Sequence, residues 1–137
     1  MKGKFINIEH EVLVNQKNVV LAIEYNRCID IYYTTKNSVH SFHKYFYNKN
    51  DDATLNVLKT YIEQKNLIKK FVKTSIKIDD RKCTIYVNTK SDIAFFDLNS
   101  DSRPKIVMQN GGYIYLPSDM SYTVMRKTLK HIAGLLS

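Results

Sequence analysis

The chain has no tryptophan, only two prolines, four glycines and two cysteines among 137 residues. Each scarcity removes a class of protein. So little Gly and Pro excludes collagen-like and low-complexity architectures. No P-loop and no G-x-G-x-x-G sequence is present to cradle a phosphate. The two cysteines, Cys28 and Cys83, lack paired metal-ligand spacing and are too few for a disulfide scaffold. They read as reduced thiols in a reducing compartment, and sequence alone leaves a bond between them open. No apolar run approaches the ~20 residues of a membrane span, and the first ten residues lack the apolar segment of a secretory signal. A cytoplasmic protein is expected. Acids are also in short supply: 13 Asp and Glu stand against 21 Lys and Arg, a formal charge of +8.

What is present describes a globular domain. Hydrophobic residues make up 44% and charged residues 25%, so one domain over 1–137 with its own core is expected. The aromatics are 10 Tyr and 6 Phe, a composition that suits pleated, half-buried surfaces. The cationic surplus favours a polyanionic partner, because each neutralised phosphate releases condensed counterions.

Periodicity orders the chain. Lys4–Val14 reads as a first strand, and Asn15 to Asn18 as a polar turn. Val19–Tyr25 is almost wholly apolar, as in a strand buried on both faces. Asn26-Arg27 links it to Cys28–Thr35, and Lys36-Asn37 links that to Ser38–Phe46. Such short links join antiparallel neighbours, so the first fifty residues read as a meander. Asp51 or Asp52 can cap an amphipathic helix over about 53–70, with Leu55, Leu58 and Ile62 on one face. Phe71–Ile78 and Thr84–Asn88 alternate with period two around a charged turn from Asp79 to Lys82. Asp92–Phe96 is a strand and Leu98–Pro104 a loop. Lys105–Gln109 and Tyr113–Leu116 flank Asn110-Gly111-Gly112, whose Asn-Gly pair predicts a type I′ turn. Pro117 ends that strand, and Ser118 can cap a last helix carrying Met120, Val124, Leu129 and Ile132. The order β-β-β-β-α-β-β-β-β-β-α is a strand-dominated α+β fold of antiparallel meander and hairpins, with one central and one C-terminal helix.

No catalytic signature stands out. His40 and His43 have H-x-x-H spacing, but on a strand residues three apart face opposite ways, so they are not expected to share a metal. Asp79-Asp80 could be read as paired carboxylates, yet adjacent turn residues splay. No enzyme activity, metal or cofactor is expected. The basic residues say more. Lys59, Lys65, Lys69, Lys70, Lys73, Lys77, Arg81, Lys82 and Lys90 crowd one stretch against Glu63, Asp79 and Asp80. A solvated helix face and lysine-guarded strand edges account for some of them. Nucleic-acid contact accounts for Arg81-Lys82 at a hairpin tip.

Around that tip the chain resembles the LytTR family of bacterial DNA-binding domains. Lys77-Ile78, the loop Asp79 to Cys83, then Thr84-Ile85-Tyr86-Val87-Asn88 match its pattern of strand, basic loop and Ser/Thr-led strand ending in Asn. Ile23-Glu24, Ile29 to Thr34, the helix over Leu55 to Lys70, and the hairpin Lys105 to Leu116 followed by Ser118 to Leu129 extend the likeness over about 19–130. The family's aromatic-Arg-x-His sequence before the Ser is absent, and Lys82 stands near the His position. Ser118-Asp119 replaces a basic residue before the last helix.

The resemblance implies a sequence-specific transcriptional regulator whose loops enter the major groove. Asn26-Arg27 would form one reading loop and Arg81-Lys82-Cys83 the other. Arg81 and Arg27 would reach base edges, while Lys73, Lys77, Lys82 and Lys90 would hold phosphates. The partners implied are double-stranded DNA, a second copy of the chain, and a protein supplying the regulatory signal. The alternatives are a phage or mobile-element module that antagonises a host nucleic-acid enzyme, with Tyr45-Phe46-Tyr47 as its candidate apolar patch, and a small nuclease.

Overall fold

The structure, a computed structural model, describes residues 5–9, 12–25, 28–45, 71–78, 80–99 and 101–137. Strands dominate it. They form antiparallel sheets, and among the described residues one α-helix lies at the C-terminal end. No described helix is long and apolar enough to cross a membrane. The helix expected over 53–70 and the link Asn26-Arg27 lie outside the described residues. The chain divides into two compact units, residues 1–33 with 40–91, and residues 34–39 with 92–137.

The first unit opens with a departure from expectation. Lys4–Val14 is not one strand but a hairpin of β1 (Phe5–Glu9) and β2 (Val12–Asn15), with a bulge between Asn7 and Glu9. The sequence signal is the polar run Glu9-His10-Glu11, which interrupts the apolar alternation. A single 3-10 turn, Gln16–Asn18, follows.

The main sheet has five strands: β3 (Val19–Tyr25), β4 (Cys28–Thr34), β5 (Val39–Tyr45), β6 (Phe71–Ile78) and β7 (Arg81–Asn88), in the order β5-β4-β3-β7-β6. β3 sits at the centre because its run of Val, Leu, Ala and Ile offers no polar face to water. Val19, Val20, Leu21, Ala22 and Ile23 are all at most 1% exposed. β7 is its antiparallel partner, with Leu21 opposite Val87 and Ile23 opposite Ile85. Ile85, Tyr86 and Val87 are buried as deeply. Truncating such a side chain costs about 2–5 kcal/mol through lost burial and the cavity left behind.

The second unit is a three-stranded sheet of β8 (Ile93–Asp97), β9 (Lys105–Met108) and β10 (Tyr113–Tyr115), ordered β10-β9-β8, with helix α1 (Tyr122–Leu136). The cap of α1 is Ser121, not Ser118: the Val124 N–H donates to Ser121 Oγ at 3.2 Å. Met120 instead closes a turn onto the Pro117 carbonyl, which delays the helix by one turn. The buried stripe is Met125, Thr128, Leu129 and Ile132, so Val124 is only half-buried. The buried Thr128 hydroxyl is satisfied by the Val124 carbonyl at 2.8 Å.

The Asn110-Gly111 hairpin also differs from expectation. Only Gly111 takes a positive φ, 87°, and Asn110 does not. Gly111 N–H bonds the Met108 carbonyl, and Met108 N–H bonds the Gly112 carbonyl, both at 2.9 Å. That is a three-residue loop built on a type I turn with a left-handed glycine, rather than a two-residue type I′ turn. Asn110 is released from the turn role and cross-links instead. Its Nδ2 donates to the carbonyls of Thr35 (2.8 Å) and Ser38 (3.0 Å), and its Oδ1 accepts from Gly112 N–H.

The close approach at this point is specific to glycine. A Cβ on Gly112 would lie 2.5 Å from Val39 Cγ2, whereas one on Gly134, within α1, would meet nothing within 4 Å. Gly112→Ala is expected to destabilise the protein by about 1–3 kcal/mol through overpacking. Gly134→Ala is expected to stabilise it by up to about 1 kcal/mol. Denaturant unfolding of the two variants checks both signs.

Candidate nucleic-acid interface

The ribbon β6–β7 forms one side of the main sheet, with β6 as the edge strand. Its register pairs Ile78 with Arg81, so the connection is only Asp79-Asp80. Asp80 takes φ 64°, the left-handed conformation such a short link demands and Asp tolerates. This changes the expected tip. Arg81 and Lys82 are not turn residues but the first two residues of β7, and the turn itself is acidic. Because strand neighbours alternate, Arg81 and Lys82 point to opposite faces.

Lys82 lies directly opposite Lys77, and Lys73 lies opposite Tyr86, all on one face. Lys73, Ser75, Lys77 and Lys82 are exposed, while Thr84 and Tyr86 on the same face are buried. The accessible part is therefore the edge strand and the tip, not the whole ribbon. Lys73 Nζ lies 5.6 Å from the centre of the Tyr86 ring. Lys73 and Lys77 are roughly 13 Å apart at ~3.3 Å of rise per residue. Opposed like charges on neighbouring strands destabilise a sheet. Among the described residues neither Lys77 nor Lys82 forms an ion pair.

Tyr25 and Cys28 pair at the end of β3–β4, and Glu24 pairs with Thr84. That end of the sheet is therefore the end carrying Arg81 and Lys82. Asn26 and Arg27, expected as a reading loop, lie outside the described residues. Lys90 is not brought into the group. It follows Asn88, which is roughly 20 Å from Lys82 at ~3.3 Å per residue.

Asn88 explains the turn that holds Lys90. Its side chain is buried, donating Nδ2–H to the Val19 carbonyl and accepting the Lys90 N–H on Oδ1, both at 2.9 Å. It thus ties the end of β7 to the start of β3.

Two further features escaped the sequence reading. One is a cluster of Cys28, Asp30 and His43, whose donor atoms lie within 4.8 Å of one another. Cys28 and Asp30 are two apart on β4 and share a face, and His43 comes from neighbouring β5. The strand pairing, not the H-x-x-H spacing, decides His43's neighbours. His40 stacks instead on Tyr33, with ring centres 5.4 Å apart.

The other is an exposed aromatic face on the second unit. Tyr113, Val107 and Phe95 form one cross-strand row, and Tyr115, Lys105 and Asp97 the next. Phe95 and Tyr113 are more than half exposed, at 55% and 52%. Arg103 lies 4.7 Å from the Tyr115 ring centre and Lys105 5.3 Å from that of Tyr113. The Asn99 N–H, at 3.0 Å, and the Lys105 ammonium, at 3.2 Å, hold the Asp97 carboxyl below its ordinary range. The aromatic run Tyr45-Phe46-Tyr47 lies outside the described side chains.

Both cysteines are buried, and no disulfide joins them. No family model, curated protein or solved structure matches the chain.

Replacing Asn88 by Ala leaves the buried Val19 carbonyl and the Lys90 N–H without this partner. A loss of about 1–3 kcal/mol is expected, read as a lower denaturation midpoint at unchanged slope.

Proposed function

We propose that the protein binds double-stranded DNA sequence-specifically, as a transcriptional regulator of LytTR type, through the β6–β7 edge and tip. The observation that carries the DNA part is the cross-strand pair Lys77–Lys82, with Lys73 on the same face. Two opposed ammonium groups cost the sheet stability unless an anion sits between them. A phosphate backbone supplies such anions in series. Arg81 leaves the strand start on the other face and is the residue assigned to base edges, where a bidentate contact to guanine discriminates by about 1–3 kcal/mol. The regulator assignment is supported by the residue pattern from Lys77 to Asn88 alone. Lysines on an edge strand also block strand-to-strand association, so the test must separate the two roles.

Mobility-shift titrations on genomic fragments at two salt concentrations provide that test. The wild type is expected to bind some fragment more tightly than random DNA. Lys73→Ala, Lys77→Ala and Lys82→Ala combined should weaken all sequences alike and reduce the salt slope by about 2.7, or 0.9 per phosphate. Arg81→Ala should instead relax specificity with little change in slope. A triple variant that aggregates while retaining the wild-type slope would assign the lysines to edge protection.

The exposed row of Phe95 and Tyr113 beside Arg103 and Lys105 favours a second reading, a protein-docking module. Tyr, Phe and Arg are the residue types enriched at protein interfaces. Here Phe95→Ala with Tyr113→Ala would abolish capture of a partner from nuclease-treated lysate and leave DNA binding intact. A retained partner sinks this reading.

A further inference from the structure

We infer that Cys28, Asp30 and His43 form a binding site for a thiophilic divalent cation of the Zn²⁺ type. The three donors come from one sheet end and differ in kind: a thiol, a carboxylate and an imidazole. Zinc accepts all three, with Zn–S near 2.3 Å and Zn–N or Zn–O near 2.0–2.2 Å. In a tetrahedral site these bond lengths place donor atoms roughly 3–4 Å from one another. Cys28 Sγ lies 3.2 Å from each ring nitrogen of His43. His43 Nδ1 and Asp30 Oδ1 are in direct contact, so an ion bound between them would have to part the two. All three donors fall within 4.8 Å.

Burial fits the same use. Cys28 and Asp30 are each 7% exposed. A buried carboxylate is costly unless charge or hydrogen bonds compensate it. The His43 side chain is 43% exposed, so an ion has a route in and a solvent-facing position remains for a fourth ligand. Three protein donors with one open position is the pattern of zinc sites that exchange ligands, rather than of closed structural ones.

A cysteine nucleophile activated by histidine fits the geometry less well. In that arrangement the sulfur lies in line with one ring nitrogen and the acid holds the other. Here the acid is on Nδ1, and the sulfur is equidistant from both nitrogens. It therefore faces the ring between them and is not aligned for transfer of its proton to Nε2. An ion must lie on the lone pair of one ring nitrogen, but the sulfur that shares it need not be in line with that nitrogen. On binding, the thiol proton leaves to solvent and the thiolate becomes a ligand.

The full chain, stripped with chelator under reductant, is titrated with Co²⁺ and then Zn²⁺. Saturation at one equivalent is expected, with a thiolate-to-cobalt charge-transfer band that Zn²⁺ abolishes. Cys28→Ser should remove the band and weaken Zn²⁺ binding by more than the about 10–100-fold that loss of an outer partner costs. His43→Ala, on a half-exposed side chain, should weaken binding comparably in a protein that still folds. Cys83→Ser should change neither, because Cys83 lies outside the cluster. Absence of the band in folded wild type would reduce the cluster to an Asp–His ion pair beside a thiol. Binding that survives both Cys28→Ser and His43→Ala would overturn the assignment equally. DNA binding by the ribbon is read separately and does not enter either outcome.

Discussion

The pairing of β3 with β7 is the constraint on which the first unit depends. It joins segments far apart in sequence, with Leu21 opposite Val87 and Glu24 opposite Thr84. Both strands are buried on both faces there, so neither has a polar side that could tolerate a slip. A shift of one residue would reverse every side chain of one strand. Closing so long a loop costs conformational entropy, though that cost grows only slowly with length. Nine hydrophobic residues of these two strands at or below 1% exposure, among them Leu21, Ala22, Ile23, Ile85 and Val87, offset it. Asn88 reinforces the same junction with a directional bond to Val19, which a purely apolar pairing lacks.

The register also separates the three lysines from the Cys28–Asp30–His43 cluster. Lys73, Lys77 and Lys82 share a face with Tyr86 and Ala22, and the alternation carries that face to Ile29 and Ile31 on β4. Cys28 and Asp30 belong to the opposite face, with Tyr25 and Ile23. The lysines and the cluster therefore occupy the same end of one sheet but opposite surfaces. Arg81 is the exception: it alternates with Lys82 onto the face of Cys28 and Asp30, so a ligand held by Arg81 would approach the cluster's side of the sheet.

The sequence disclosed elements better than their junctions. The strand cores at Val19–Tyr25 and Phe71–Ile78 were legible, because apolar period and burial agree there; Thr84–Asn88 was legible as a strand, but its alternation suggested one wet face and both are buried. The junctions were less so. Asn110-Gly111 carried the signal of a two-residue turn, but one more loop residue shifted the positive φ to Gly111 alone and freed Asn110 to bond Thr35 and Ser38. Ser118 and Ser121 are equivalent as cap residues in isolation, and the turn closed by Met120 onto Pro117 decides between them. Arg81 and Lys82 read as turn residues because charge interrupts the alternation there. The register instead extends β7 through both and puts them on opposite faces.

The same reasoning explains why the cluster was hidden while the histidine pair was visible. His40 and His43 are close in sequence, and the strand separates them by direction. Cys28, Asp30 and His43 are joined only by the pairing of β4 with β5, which no local spacing encodes. Cys83 supplies the contrast. It is more deeply buried than Cys28, and the register opposes it to Ile76. What distinguishes Cys28 is an imidazole within 3.2 Å and a carboxylate two residues along the same strand face. Chemistry at this sheet end thus depends on which strand lies beside β4, and only secondarily on the cysteine itself.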